Sequence, residues 1–315
     1  MSEGLERALR AVVRDCLGVR EGENALVICN PATQRIGARM REEAAAAGAD
    51  AVLAIIDERA SHAAEPPPTV ANAMLRADVI IAPTVQSLSH TAARNAASDA
   101  GARVATLPGV TEEMLARAMS ADIEGLRRKG TAVAEALEAA TGATIGSADG
   151  AVLRLDLGGR PGIPDSGDIR ERGAFGNLPC GEGFISPAGG EGVLVVDGSI
   201  ASIGKVSEPA RLTIEDGRLV VATGPEGERL YELLSVHGED GTRIAELGIG
   251  TNEKAILTGE ILEDEKILGT CHVAFGASAG IGGTIQVPVH LDCVVMRPTV
   301  TLDDHPIVSD GELLV

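Results

Sequence analysis

Hydrophobic and polar positions in the first half of the chain alternate between short apolar runs and longer amphipathic segments. The apolar runs predict buried strands, and the segments between them predict helices. Short apolar strands separated by helices are typical of a parallel sheet that is covered on both faces. The right-handed crossover rule makes this a doubly wound domain. The predicted strands are 25–29, 51–56, 78–83 and 103–107, and the predicted helices are 35–47, 69–77, 90–100, 111–119 and 121–141.

The pattern changes after about residue 145, where glycine, proline and β-branched residues become frequent and helical periodicity largely disappears. We therefore predict an α/β fold class, with an N-terminal doubly wound parallel-sheet domain (1–147) followed by a mainly β (α+β) domain (148–315). The predicted strands of the second domain are 151–156, 193–197, 210–215, 218–222, 255–258, 270–275 and 287–296, with a helix at 226–237.

Composition and charge disfavour several classes of partner. The formal net charge of −19 argues against nucleic acids and anionic membranes, since both are polyanions. No apolar run approaches the roughly 20 residues of a membrane span, and the acidic N-terminus is unlike a signal peptide. Five scattered cysteines without a CxxC pair favour reduced thiols. We expect a cytoplasmic protein with neither nucleic-acid nor membrane partners.

The strongest chemical signal is the pair His290 and Asp292 in the apolar segment 289–293. Alternate residues of a strand share a face, so these two side chains project together, with backbones about 7 Å apart. An imidazole and a carboxylate on one face can bind one divalent ion. An alternative interpretation is a buried, hydrogen-bonded His–Asp pair. Cys293, which follows Asp292 in the same strand, is expected to face away from these two side chains.

A second histidine, His272, lies in the middle of another apolar run, which is predicted to be a strand. Because burial of an unpaired imidazole is unfavourable, His272 must be hydrogen-bonded or bound to a metal. Two of only six histidines therefore fall inside apolar strands near each other in sequence.

Carboxylates occur in glycine-rich contexts nearby. Glu182 lies between two glycines in a predicted tight loop, where the backbone can approach a ligand, although a solvated turn is an alternative. Glu246 is a lone acid in an apolar run. In the charged cluster 263–266, we expect Glu263 and Asp264 to be solvated, while Glu265 is left open. These residues predict a site for one or two divalent ions in the second domain.

Several motifs occur in one order: NLPCGEGFISP (177–187), ELGIGTN (246–252), EDEKILGTCHVAFG (263–276) and HLD (290–292). This order resembles the thermophilic aminopeptidase family of metallopeptidases, the M29 or aminopeptidase T/S group, over roughly residues 150–315. The resemblance implies a homodimer that acts on peptides or other small-molecule amides through a metal-activated water. It implies metal ligands at Glu182, Glu246, His272, His290 and Asp292, with catalytic roles for Glu182 and Glu265 and with Zn, Co or Mn as the metal.

The chain departs from this family at one position that matters for catalysis. Peptidase members carry a tyrosine seven residues after the first histidine, where this chain has Ala279, and its single tyrosine is Tyr231. Loss of an oxyanion donor typically lowers the rate by about 10²–10³.

The same family contains a non-haem Fe(II) dioxygenase that opens dihydroxypyridine rings, which is our alternative prediction. His272, His290 and Asp292 would supply its two-histidine, one-carboxylate centre. A structural metal site without catalysis is a third possibility.

Overall fold

The structure is a computed structural model that describes residues 3–315. Its helices are α1 (Glu3–Arg10), α2 (Gln34–Ala46), α3 (Pro68–Met74), α4 (Ala92–Ala100), α5 (Glu112–Ala118), α6 (Ile123–Ala139), α7 (Pro225–Ser235), α8 (Gly238–Gly241) and α9 (Ile261–Asp264). Short 3₁₀ or π turns occur at Ala11–Cys16, Pro31–Thr33 and Ala279–Ile281.

The strands follow one another along the chain as β1 (Asn24–Cys29), β2 (Asp50–Ile55), β3 (Val79–Ala82), β4 (Arg103–Thr106), β5 (Gly142–Gly146), β6 (Val152–Asp156), β7 (Gly162–Asp165), β8 (Phe175–Asn177), β9 (Glu182–Ile185), β10 (Gly189–Val196), β11 (Ser199–Ile200), β12 (Gly204–Lys205), β13 (Ala210–Glu215), β14 (Arg218–Thr223), β15 (Ile244–Gly250), β16 (Cys271–Gly276), β17 (His290–Val295), β18 (Thr299–Leu302), β19 (His305–Ser309) and β20 (Glu312–Leu313).

The first of two compact units comprises Met1–Ile123 and Gly167–Cys180. It is built on a parallel five-stranded sheet of order β2-β1-β3-β4-β8. One face, including Leu26, packs with residues of α3 and α4. The other face packs on α2, where Gly37 lies directly against Cys29. Helices therefore cover both faces, and the predicted doubly wound domain is confirmed.

The second unit comprises Glu124–Ser166 and Gly181–Val315 and is mainly β. An eight-stranded sheet has the order β14-β13-β10-β6-β5-β18-β19-β20, and a seven-stranded sheet has the order β12-β11-β17-β16-β15-β9-β7. Residues from both sheets share one continuous apolar core. The α/β fold class, with a parallel sheet followed by antiparallel sheets, is thus confirmed.

The division into units differs from the predicted boundary between residues 147 and 148. Helix α6 belongs with the β-rich unit because Ala134 lies against Gly162 of β7 and Gly183 of β9. The segment Gly167–Cys180 returns to the first unit because β8 pairs with β4. Such long-range pairing has no local signature in the sequence.

The predicted strand at 255–258 is wrong. This segment is an irregular loop, because its backbone N–H groups at Ile256 and Thr258 donate to the side chains of Glu263 and Asp264 instead of to a neighbouring strand. Among residues 3–315, no helix combines the length and apolar character that crossing a membrane would require.

Candidate metal centre

Two histidines and an aspartate project from one face of the seven-stranded sheet. The antiparallel register pairs Gly248 with His272 and Ala274 with Asp292. Because directly paired residues share a face and side chains alternate along each strand, His272, His290 and Asp292 point to the same side.

Two glutamates join them on that face from neighbouring strands. Glu246 of β15 pairs with Ala274, and Glu182 of β9 pairs with Gly250. The opposite face of the same strands, including Val273, contributes to the apolar core. The sheet is therefore polar on one side and apolar on the other. Glu182 lies buried in a strand, and neither the predicted loop nor the solvated turn is observed.

Glu246 lies between the two imidazoles. Its Oε1 is 3.4 Å from Nε2 of His272, and its Oε2 is 3.3 Å from Nε2 of His290. Nε2 of His272 is also 3.4 Å from Oε2 of Glu182, and Nε2 of His290 is 3.4 Å from Oδ1 of Asp292. These separations are long for N–H···O hydrogen bonds, which are usually about 2.7–3.2 Å, and the contact between His272 and Glu246 is a hydrogen bond at the long end of the range. The nitrogen and oxygen atoms therefore face one another with room between them.

Three overlapping groups of side chains bring their ligand atoms within 4.8 Å of one another. Every predicted ligand or catalytic residue belongs to at least one of these groups, so the fold brings the whole predicted set together. The groups are Glu182–Glu246–His272, Glu246–His290–Asp292 and Glu265–His272–Asp292. Which of these side chains bind a metal stays a prediction.

The two histidines differ in their access to solvent. The side chain of His272 is 1% exposed, whereas that of His290 is 17% exposed. Nδ1 of His290 donates to the carbonyl of Ala277 at 2.7 Å, which directs Nε2 into the cluster. Of the two histidines, His290 is therefore the one that borders solvent.

Sequence reasoning missed Lys266 and Asp165. The Lys266 ammonium is buried, with Nζ 2.5 Å from Oε1 of Glu182, 2.7 Å from Oε1 of Glu265 and 3.2 Å from Oδ2 of Asp165. A lysine directly before an apolar segment is the signal that could have drawn attention to Lys266. Asp165, at the end of the short edge strand β7, gives no such signal.

The expectation that Glu263 and Asp264 are solvated is wrong. Both are fully buried. Asp264 accepts hydrogen bonds from Thr258 N at 2.6 Å and Gly259 N at 2.8 Å, and Glu263 accepts one from Ile256 N at 3.1 Å. These carboxylates fasten the preceding loop to α9 and so fix the backbone that carries the next two residues of the chain.

Gly248 makes room for the His272 ring. A Cβ atom at this position would lie 2.2 Å from both Cε1 and Nε2 of His272, far inside van der Waals contact. Only glycine leaves the imidazole in its observed position. The ELGIGTN motif signals the glycine, but only the sheet register shows what it faces.

Burial and charge perturb the titration of the cluster. Burial raises the pKa of Glu182 to about 8, despite the nearby Lys266 ammonium. Burial lowers the pKa of His272, but the hydrogen bond with Glu246 and the negative charge of Glu182 more than offset this and raise it to about 9. Burial also raises the pKa of Glu246, yet its contacts with His272 and His290 hold it below the ordinary range. Imidazolium–carboxylate pairs thus balance charge within the cluster.

The donor set fits a divalent transition-metal ion. Oε2 of Glu182, which faces Nε2 of His272, is buried and has no hydrogen-bond partner among the described residues. Two imidazoles with several carboxylates suit Fe(II), Mn(II) or Zn(II), and the set needs no thiolate. Cys271 and Cys293 are buried in the apolar core, as expected from their alternation with the histidines.

A cavity of about 210 Å³ in the second unit is lined by Arg160, Arg243, Ser278 and Ile285, among others. None of the candidate ligands lines it. The candidate centre is therefore defined by its converging side chains rather than by this cavity.

The fold and the acid–histidine cluster define this protein as a metal-binding enzyme of the mixed α/β class. The family model described as NicX, 2,5-dihydroxypyridine 5,6-dioxygenase, matches residues 7–315, so the chain belongs to that family. No curated protein sequence matches the chain significantly.

Two solved structures share the fold over nearly their whole lengths. The 2,5-dihydroxypyridine dioxygenase from Pseudomonas putida KT2440 superposes with a TM-score of 0.87 at 21% identity, covering 100% of this chain and 99% of that one. Wild-type AmpT from Thermus thermophilus superposes with a TM-score of 0.72 at 18% identity, covering 99% of each chain. At these identities the likeness shows the fold alone.

Proposed function

We propose that this protein is an Fe(II)-dependent dioxygenase that opens the ring of a dihydroxylated pyridine. The observation that carries the proposal is the family match across residues 7–315, to which the converging imidazoles and carboxylates give a chemical basis. The structural likeness to the Pseudomonas putida enzyme supports the same function. The dioxygenase alternative is thereby favoured over the hydrolase that the motifs first indicated.

The two-histidine, one-carboxylate set predicted from the sequence would be His272, His290 and Asp292. The two histidines belong to different ligand groups, and Glu246 contacts both imidazoles. A ferrous ion in this position supplies the redox chemistry that allows a hydroxylated aromatic ring to react with dioxygen. The remaining contributions come from the protein side chains.

Glu182 is the candidate general base. Its Oε2 is buried and has no hydrogen-bond partner among residues 3–315, and its pKa of about 8 lies near neutral pH. A carboxylate with such a pKa can take a proton from a substrate hydroxyl and later return it. Glu265, whose Oε1 contacts Lys266 at 2.7 Å, contributes a second buried acid to the same network.

Burial of the cluster restricts water and directs the substrate. His272, Glu182, Glu246 and Asp292 each expose at most a tenth of the side chain, whereas His290 is partly open. A planar ring that entered past His290 would exclude water from this buried cluster, where charge interactions are stronger than in bulk solvent.

A metallohydrolase that cleaves peptide or amide bonds is the second candidate, favoured by the likeness to AmpT and by the number of carboxylates. The family tyrosine position, Ala279, begins a 3₁₀ turn, and Tyr231 lies on α7, which packs on the eight-stranded sheet. The single tyrosine of this chain therefore does not stand where peptidase members place the tyrosine that stabilises the oxyanion.

Anaerobic reconstitution with Fe(II), followed by addition of 2,5-dihydroxypyridine and oxygen, tests the proposal. We expect oxygen uptake equal to substrate consumed and two atoms of ¹⁸O in the product when ¹⁸O₂ is supplied. In parallel, Zn-loaded protein is assayed with leucine p-nitroanilide. Amide cleavage by the zinc form together with no oxygen uptake by the iron form would contradict the dioxygenase proposal.

The sequence-based expectations of a homodimer, a small-molecule substrate, a cytoplasmic location and neither nucleic-acid nor membrane partners belong to the same proposal. They are supported by the net charge of −19 and by the family resemblance. Light scattering on the purified protein tests the dimer, and a single-chain mass would contradict it.

A further inference from the structure

The buried Lys266 ammonium occupies one side of the candidate metal centre. It contacts three carboxylates, those of Glu182, Glu265 and Asp165, all within 3.2 Å, and its side chain is 1% exposed. A fully buried ammonium is tolerated only when it is paired in this manner. Glu182 is shared, because Oε1 contacts Lys266 while Oε2 faces His272.

The cluster has enough ligand side chains for two ions, but the Lys266 ammonium already neutralises part of its carboxylate charge. Two of the three overlapping ligand groups contain a carboxylate that Lys266 holds, namely Glu182 or Glu265. The group Glu246–His290–Asp292 contains none. Both groups that contain His272 include one of these held carboxylates, but His272 also lies 3.4 Å from Glu246, through which it adjoins the free side of the cluster.

We propose that the Lys266 ammonium takes the place of a second divalent cation, so that the centre binds one metal ion on the side of His272, His290, Glu246 and Asp292. A second ion bound by Glu182 or Glu265 would share its carboxylate ligand with the Lys266 ammonium, and the two positive charges would repel. Lys266 is thus a positioning residue that sets metal stoichiometry. The inference rests on the metal site of the proposed function.

Metal stoichiometry measured with Mn²⁺ alone, without ring substrate, tests this role. We expect the native protein to bind one Mn²⁺ per chain at saturation. Lys266→Met keeps the length of the side chain and removes the charge, so it is expected to bind two, with the spin-coupled EPR spectrum of a manganese pair. The double variant Lys266→Met/Glu265→Gln loses a carboxylate as well and is expected to return to one.

Lys254→Met, at an exposed position, is the matched control and is expected to keep one ion. If Lys266→Met does not fold without metal, we expect it to be recovered folded from cells grown with Mn²⁺, with two ions per chain. Two ions in the native protein, one ion in folded Lys266→Met, or failure of this variant to fold even with Mn²⁺ would each overturn the inference. A lack of ring cleavage alongside the expected stoichiometries would overturn only the proposed function.

Discussion

At the scale of single residues, His290 is held in a fixed orientation and is also partly exposed to solvent. Its Nδ1 is fixed by the Ala277 carbonyl at 2.7 Å, and its Nε2 faces Glu246 and Asp292. His290 therefore directs a ring nitrogen into the cluster and also borders solvent, in contrast to the enclosed His272.

His290→Ala is expected to lower the affinity for Fe(II) or Mn²⁺ by at least about 100-fold. Mutation of a residue that only orients a metal ligand already lowers metal affinity by about 10–100-fold, and loss of a ligand itself should cost more. Titration calorimetry measures the affinity. His305→Ala, which removes an exposed histidine on β19, should leave it unchanged. Full metal content in His290→Ala would show that the ligand set is wrong.

Gly248→Ala is expected to disturb the centre without changing any ligand. The added Cβ would lie 2.2 Å from the His272 ring, so the imidazole must move. We expect a 10–100-fold loss of metal affinity, as for other changes that misorient a ligand. Gly189→Ala meets nothing within 4 Å and is the matched control. Equal metal affinities of the two variants would contradict this steric role.

At the scale of elements, α9 and the loop before it form one hydrogen-bonded segment. Asp264 is fully buried and accepts bonds from two backbone amides and from the hydroxyl of Thr258. This segment positions Glu265 and Lys266, which follow directly in the chain. Lys266 thereby reaches the ends of β7 and β9.

Asp264→Ala is expected to lower the free energy of unfolding by about 2–3 kcal/mol, since it leaves buried backbone donors unpaired. Urea unfolding followed by circular dichroism measures this loss. Glu260→Ala removes an exposed carboxylate from the same loop and should change stability little. A similar effect of both substitutions would argue against the role of Asp264.

At the scale of the whole molecule, the metal-free and metal-bound forms differ in bound protons. The pKa of His272 is raised to about 9, because its contacts with Glu246 and Glu182 outweigh the opposing effect of burial. Below that pH the imidazole is protonated, and a metal must displace the proton in order to bind.

We therefore expect the apparent affinity for Mn²⁺ to rise with pH up to about 9, by as much as about tenfold per pH unit for each proton displaced. Calorimetry in buffers of different ionisation enthalpy measures the protons released. A pH-independent affinity between pH 6 and 9, with no proton release, would contradict the protonation state assigned to the cluster.

Local sequence patterns predicted much of this protein. Alternation of apolar and polar residues is a local property, so it located β1 to β4 of the parallel sheet, although not β8. It also placed His272, His290 and Asp292 on strand faces opposite Cys271 and Cys293. It could not show that the 255–258 run is a loop, since the hydrogen bonds that decide this come from Glu263 and Asp264 further along the chain.

The amino-acid sequence by itself determined the fold class and indicated six candidate ligand or catalytic side chains, but it did not indicate Lys266 or Asp165. Tertiary structure decided which of them meet, because sheet register joins residues that are distant in sequence. It is the register that places Glu182 and Glu246 beside the histidines and Gly248 beneath His272. It also brings Asp165 to Lys266, turning an ordinary lysine of a charged cluster into a buried cation next to the candidate metal centre.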